Sequence, residues 1–193
     1  MKNLTESVSA ATAELSALET SRESAIADSR RIIRQTKVVI HGIHTGSDVT
    51  TELTSLNGMM ENMLRLCEDP MVGCSGPVQD AMAEYAEAVI LHAVMNGEDI
   101  PGHSNLGISA GAWILGLADT EGELRRVVMT LLMDGELGRA KSIFSMMESI
   151  HEQVMLLDVP DAIAPVRRKQ DIARGIMDKT RADITTASIM RPR

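Results

Sequence analysis

The sequence has 193 residues, of which 44% are hydrophobic and 24% are charged, and its formal net charge is −8. This length and composition favour a single globular domain over residues 1–193 and exclude an intrinsically disordered chain. The negative net charge excludes a protein that is basic over its whole surface, so a nucleic-acid partner would need a local basic patch.

The rarer residue types narrow the class further. Tyr, Trp and Phe occur once each, which argues against folds that stack RNA bases on aromatic platforms. Cys67 and Cys74 are too few for a zinc site or a disulfide framework. We find no signal-peptide pattern and no apolar run of the ~18 residues that a membrane span needs. A cytoplasmic protein without a membrane partner is therefore expected.

Apolar residues recur every three or four positions along the chain, and this spacing predicts an all-α protein. The segment 98–107, "EDIPGHSNLG", is expected to form a loop or a short turn. Short connections between long helices are typical of a helical bundle. The six helices that we predict cover about residues 4–44, 49–67, 76–96, 109–134, 137–157 and 162–188.

The first predicted helix carries a run of basic residues. Their main spacing alternates between four and three, which places them on one helix face. Such a face can follow a phosphate backbone, but it is also typical of a solvated helix or of a surface that pairs with acids of another subunit. We call this set the basic stripe, and its members are Arg30, Arg31, Arg34, Lys37, His41 and His44.

The third predicted helix contains the stretch "AMAEYAEAVILHAVM", residues 81–95. Glu84 and Glu87 are three residues apart, so they share a face of a helix that is otherwise apolar. A buried carboxylate without a partner costs several kcal/mol or shifts its pKa upward. A cation, a basic side chain or water is therefore expected near this pair.

A second acidic pair lies in "WILGLADTEGELRR", residues 113–126. Asp119 and Glu123 are four residues apart and again share one face. Gly116 and Gly122 lie inside the same predicted helix, where each glycine costs ~1 kcal/mol relative to alanine. A close approach by another backbone or by a ligand would explain such glycines.

Two acidic pairs on two apolar helices suggest one oxygen-rich site between the helices. A site of this kind favours Mg²⁺ or Mn²⁺, and the bound ion can activate water and stabilise charge on a phosphoryl group. The alternative is that the acids pair with Arg125, Arg126 or Lys141, or face solvent.

These same segments resemble the translin family, and its Trax branch most closely. "EYAEAV" and "LGLADTEGELRR" match the family's "EYxEA" and "GxAD…GEL" blocks, and "MDGELGRA" and "VRRKQDIARGIMDKTRADI" match the turn and the closing helix that follow. "SRRIIRQTKVVIHGIH" is a weaker match to the family's first helix. The resemblance covers most of the chain, from about residue 29 to residue 184.

The resemblance implies a translin-like bundle of about six or seven helices with a long N-terminal helix. Members of the family assemble as hollow octamers and bind RNA or single-stranded DNA, and Trax subunits are Mg²⁺-dependent endoribonucleases. Carried over to this chain, the catalytic and metal-binding acids would be Glu84, Glu87 and Asp119, with Glu123 joining or supporting them. The resemblance also favours RNA binding by the basic stripe.

Some features depart from the family pattern or leave alternatives open. Glu121 stands where the family often has Thr, and Met133–Asp134 replaces a Gly-Asn type pair. The short form resembles prokaryotic, archaeal-type members, which suggests a homo-oligomer, although a translin-like partner subunit is possible.

A binding protein without catalysis, like translin itself, is the main alternative. A di-iron protein would need two Glu-x-x-His motifs and only Glu148–His151 is present, and a nucleotide pyrophosphohydrolase would need an "EExxE" block.

Overall fold

The structure, a computed structural model, describes residues 3–190, and all regular secondary structure in that range is helical. No helix in the described range is long and apolar enough to cross a lipid bilayer. The elements in chain order are α1 (Leu4–Thr45), α2 (Thr50–Leu66), α3 (Pro70–Gly73), α4 (Gly76–Asn96), α5 (His103–Leu106), α6 (Ala110–Met133), α7 (Leu137–Met155) and α8 (Val166–Met190).

The predicted all-α architecture is confirmed, and the six long helices coincide with the predicted ones. The two additional elements, α3 and α5, are single turns within predicted connections. The start of α8 was predicted four residues too early. Pro165 explains the difference, because a residue before proline is disfavoured in the helical conformation. The backbone N–H groups of Ile163 and Ala164 instead donate to the carbonyl oxygen of Pro160, in a turn before the helix.

Helix α4 lies at the centre of the bundle. Its apolar residues surround the helix instead of forming one stripe, which is the pattern of a helix buried on several sides. It packs most extensively against α6 and then against α1. Gly97 ends it in the left-handed conformation with φ = 69°, which a glycine adopts without steric cost. Its buried residues are Val78, Ala81, Met82, Tyr85, Ala86, Ala88, Ile90, Leu91, Ala93 and Val94.

Helix α6 is the second central helix and contacts α4, α7 and α8. Ser109 caps it as predicted, with its hydroxyl oxygen accepting from the backbone N–H of Ala112 at 3.2 Å. At Gly116 the two central helices approach so closely that no side chain fits: an added Cβ would lie 2.7 Å from the Cβ of Ala86. The predicted close approach is therefore confirmed at Gly116. No backbone comes near Gly122, whose nearest neighbour would be Ile176 Cδ1 at 3.9 Å.

Helix α1 has two distinct parts. From Ala25 onward it contributes a buried residue at every third or fourth position and packs against α4 and α2. Residues 4–24 contribute no fully buried side chain. Three large apolar side chains are exposed there, Leu4, Val8 and Leu15, at 54%, 57% and 65%. Leu18 still packs against the core, whereas the exposed apolar residues before it are not covered by the described chain.

Candidate functional site

The two predicted acidic pairs come together where α4 crosses α6. Glu84 and Glu87 project from α4, and Asp119 projects from α6 one turn after the glycine at the crossing. Burial, together with the negative charges of Asp119, Glu84 and Glu123, raises the pKa of Glu87 to about 8, against the opposing positive charge of Lys169. Since each of these charges acts on Glu87, the four acids form one electrostatically coupled group, which we call the carboxylate cluster.

Glu84 lies on the side of the cluster that faces α1. Burial is the main cause of its raised pKa, and the positive charge of Lys37 is the strongest opposing influence. Lys37 belongs to the basic stripe and is itself exposed. The stripe on α1 therefore passes beside the carboxylate cluster, within electrostatic reach of one of its acids.

Asp119 is held by a lysine that was not predicted as a site residue. The Lys169 ammonium donates to both carboxylate oxygens of Asp119, at 2.5 and 2.6 Å. Lys169 lies in the first turn of α8, so a third helix contributes to the cluster. The side chains of Lys169 and Asp119 are 33% and 35% exposed. Solvent therefore reaches this ion pair.

Glu123 is held from the opposite side by a histidine of α1. The imidazole Nε2 of His44 contacts Glu123 Oε2, and Arg126 lies 3.9 Å from the same oxygen. The hydrogen bond from His44 lowers the pKa of Glu123 against the opposing effect of burial. The pKa of Glu123 therefore lies below its ordinary value, opposite in direction to the shifts of Glu84 and Glu87.

The structure corrects one assignment in the basic stripe. His44 was grouped with the residues that face nucleic acid, but its side chain is only 6% exposed and its ring points at Glu123. At the end of α1 the His44 side chain reaches across to Glu123 of α6. Arg31 is exposed but forms an ion pair with Asp28 at 3.0 Å. The members of the basic stripe that are exposed on α1 and have no ion pair within the described chain are Arg30, Arg34, Lys37 and His41.

The carboxylates of Glu84 and Glu87 receive no hydrogen bond and no ion pair from residues 3–190. Carboxylates without hydrogen-bond donors are hard oxygen groups of the kind that Mg²⁺ and Mn²⁺ prefer, so the chemical type of these two donors suits such an ion. Within the described chain, no three His, Cys, Asp or Glu side chains are grouped closely enough to enclose a metal. Asp119 is paired with Lys169, and Glu123 is paired with His44. Both acids would have to leave these partners before they could join Glu84 and Glu87 as metal ligands.

A second acid–base pair lies between α6 and α7, and sequence reasoning did not find it. Glu121 is fully buried and accepts a hydrogen bond from Nδ1 of His151 at 2.9 Å. Its other oxygen, Oε1, has no hydrogen-bond partner within the described chain. Burial raises the pKa of Glu121, and the bond to His151 opposes this. Glu148, which precedes His151 by three residues, instead pairs with Arg181 at 2.9 Å, so the Glu-x-x-His motif is divided between two partners.

An apolar groove of about 750 Å³ lies away from the carboxylate cluster. It runs between the end of α4, the connection containing α5, and the helices α6 and α7, and its lining includes Trp113, Leu117 and Ile150. None of the four cluster acids lines it. The groove and the carboxylate cluster are therefore separate features of the surface.

Known proteins resemble this chain in sequence and in structure. No protein-family model matches the sequence. Over 167 residues it is 34% identical to the uncharacterized protein MJ0175 of Methanocaldococcus jannaschii, a match that covers 86% of this chain and 75% of that protein. The crystal structure of AfC3PO superimposes with a TM-score of 0.88 at 29% identity, covering 95% of this chain and 98% of the other.

Two further solved structures support the same relationship. A structure of AfC3PO in complex with duplex RNA has a TM-score of 0.77 at 26% identity and covers 95% of this chain and 97% of the other. The crystal structure of apo-NeC3PO has a TM-score of 0.81, covers 93% and 96% of the two chains, and at 21% identity shows the shared fold alone. The helical architecture and the C3PO neighbours together show that this chain has the all-α fold of the translin/C3PO proteins, and they support a relationship to that family.

Proposed function

We propose that this protein is a Mg²⁺-dependent endoribonuclease, in the manner of the Trax branch, that cleaves single-stranded or structured RNA; Mn²⁺ is a possible substitute. The observation that carries the proposal is the carboxylate cluster, in which Glu84 and Glu87 lack a hydrogen-bond donor from the described chain and Glu87 has a pKa of about 8. Groups with such perturbed pKa values concentrate at functional sites.

In this proposal Glu84, Glu87 and Asp119 hold the metal, and Glu123 supports them. A bound Mg²⁺ supplies positive charge that stabilises the transition state of phosphodiester cleavage. The chain's own part is to position the acids: the close contact at Gly116 fixes the distance between α4 and α6, and the bond from His44 orients Glu123.

Binding of the RNA strand is assigned to the exposed part of the basic stripe. Arg30, Arg34, Lys37 and His41 are exposed along α1, and Lys37 lies within electrostatic reach of Glu84. A strand held along this surface would therefore pass beside the carboxylate cluster. The duplex RNA in the AfC3PO complex supports RNA as the ligand class, since that protein shares this fold at 26% identity.

We also propose that the protein works as a homo-oligomer, with the octamer of the family as the expected size. The exposed apolar residues Leu4, Val8 and Leu15 support this, because apolar side chains that the described chain leaves uncovered are typical of a surface that joins protein subunits. Light scattering coupled to gel filtration tests this directly. A Leu15→Asp variant should shift the mass downward if this surface joins copies of the chain.

Cleavage of a labelled single-stranded RNA tests the nuclease function. We expect cleavage with Mg²⁺ and none with EDTA, and we expect Glu84→Ala and Asp119→Ala to bind RNA without cutting it. Glu152→Ala is the matched control, because Glu152 is an exposed acid of α7 outside the cluster. A mononucleotide substrate should remain intact, in contrast to what a nucleotide pyrophosphohydrolase would do.

The alternative function is a non-catalytic oligomer that binds single-stranded RNA or DNA, as translin itself does. The specific observation in its favour is that Asp119 and Glu123 already have basic partners, which is what purely structural acids would show. If the wild-type protein binds RNA but does not cut it with either Mg²⁺ or Mn²⁺, this alternative replaces the nuclease.

A further inference from the structure

Lys169 is placed where a positive ligand of the carboxylate cluster is expected. Its ammonium group lies 2.5 Å from Oδ1 and 2.6 Å from Oδ2 of Asp119, so one cation engages both oxygens of this acid. The same positive charge also opposes part of the upward pKa shift of Glu84 and of Glu87. Lys169 therefore acts as a counter-cation for three acids at once, although it contacts only Asp119.

A lysine and a divalent ion compete for this place. The ammonium of Lys169 engages both carboxylate oxygens of Asp119, so it occupies the approach that a metal taking Asp119 as a ligand would need. If the ammonium stayed close by, it would repel the ion, which carries charge of the same sign. Whatever favours Lys169 on Asp119 therefore disfavours a divalent ion there, to the same extent.

Once displaced, the Lys169 ammonium can move to a new position. Its side chain is 33% exposed, and it projects from the first turn of α8 on a flexible stem that carries three N–H donors. An anion brought to the cluster by the basic stripe would present its phosphate oxygens in this neighbourhood. A phosphate would give the ammonium a new negative partner after the metal has taken the old one.

From this geometry we infer that Lys169 competes with a divalent cation for Asp119 and, once displaced, binds a phosphate of the nucleic acid. The second half of this inference rests on the proposed function. The exchange makes Lys169 a link between two binding events, because metal binding frees the group that then holds the strand. Metal and nucleic acid should therefore strengthen each other's binding, and the coupling should depend on this residue.

The first measurement is the affinity of the nucleic-acid-free protein for Mn²⁺, by isothermal titration calorimetry. Lys169→Met keeps the length of the side chain and removes its charge, so it should bind Mn²⁺ about fivefold or more tightly than the wild type, within the usual range of such couplings. Lys169→Gln should behave in the same way, and it serves if the Met variant folds poorly. Lys179→Met is the control and should match the wild type, because Lys179 is an exposed lysine further along α8.

The second measurement is binding of a 2′-O-methyl single-stranded RNA with and without Mn²⁺. Mn²⁺ should strengthen binding by the wild type and by Lys179→Met, and the gain should be smaller in Lys169→Met. If Lys169→Met and Lys169→Gln bind Mn²⁺ no more tightly than the wild type, the competition is refuted. If the competition holds but all variants show the same gain with Mn²⁺, the phosphate-binding half is refuted.

These outcomes are distinct from failure of the proposed nuclease. Tighter Mn²⁺ binding by Lys169→Met together with no RNA cleavage by the wild type would keep the exchange and remove the nuclease. Metal-dependent cleavage together with unchanged Mn²⁺ affinity in the variants would keep the nuclease and remove the exchange. If neither the wild type nor the variants bind Mn²⁺ at all, the inference fails along with the metal-dependent part of the proposed function.

Discussion

Gly116 of α6 lies directly against the backbone of α4 at Glu87: a Cβ atom at position 116 would lie 2.9 Å from the backbone nitrogen of Glu87. The closest approach of the two central helices therefore coincides with one acid of the cluster and lies one turn before Asp119. A single residue without a side chain thus sets how near the acids of α4 come to those of α6.

Gly116→Ala should destabilise the protein and separate the two halves of the cluster. The added methyl group meets backbone atoms, which cannot turn aside as a flexible side chain would, so we expect a loss of about 1–3 kcal/mol in the free energy of unfolding. Urea denaturation measures this. Gly122→Ala is the matched control on the same helix. Its nearest neighbour lies 3.9 Å away, so the better helix propensity of alanine should leave stability unchanged or raise it by up to ~1 kcal/mol.

The two glycines also show how far the fold could be predicted from sequence. Helical periodicity was sufficient for the six long helices, and the cost of a mid-helix glycine indicated a close approach at both positions. Only Gly116 has one, because which glycine faces a neighbouring helix depends on the crossing point, which is a tertiary property. The single turns α3 and α5 were missed for a related reason, since four residues are too few to show a period.

Glu87→Gln should stabilise the metal-free protein at high pH and have little effect at low pH. The folded-state pKa of Glu87 is about 8 and its ordinary value is 4.5, so the folded state binds this proton more tightly than the unfolded state. The contribution of Glu87 to the free energy of unfolding is therefore most favourable below pH 4.5 and is lost as the pH rises through about 8. Glutamine resembles the protonated acid and does not ionise, so it avoids that loss.

The measurement is the free energy of unfolding in EDTA at about pH 5 and about pH 9, compared between the variant and the wild type. The difference in the free energy of unfolding between Glu87→Gln and the wild type should be small at the lower pH and should favour the variant at the higher pH. The raised pKa of Glu84 gives a contribution of the same sign. Glu152→Gln is the control and should show no pH-dependent difference. An equal advantage at both values would mean that Glu87 titrates in its ordinary range.

His151→Ala should cost about 1–3 kcal/mol of stability, because it removes the hydrogen-bond partner of a fully buried carboxylate. Glu121 already has one oxygen without a partner in the described chain, and the variant would leave both in that condition. In contrast, Glu121→Met/His151→Leu replaces both polar partners by apolar side chains and should unfold close to the wild type. The midpoint of urea denaturation of each variant, compared with that of the wild type, tests both expectations. A wild-type midpoint for His151→Ala would show that the pair contributes nothing.

The site was predicted less completely than the fold. The spacing of Glu84, Glu87, Asp119 and Glu123 indicated which acids share a face, but spacing within one helix says nothing about partners on another. Arg125 and Arg126, the nearest bases in sequence, were weighed as partners, whereas Lys169 comes from α8, 50 residues beyond Asp119. A signal did exist: Lys169 follows the buried Val166 by three residues and precedes the buried Gln170, so it borders the inward face of its helix.

Arg34→Ala and Lys37→Ala should each weaken RNA binding and make it less sensitive to salt. Each side chain is exposed on α1, and a lost phosphate contact reduces the slope of log affinity against log salt by about one. Fluorescence anisotropy over a salt series measures both effects. Arg174→Ala is the control, since Arg174 is an exposed arginine of α8 that pairs with Asp171 at 2.6 Å, and its slope should remain that of the wild type. If all three variants lose affinity equally, binding reflects overall charge instead of a path along α1.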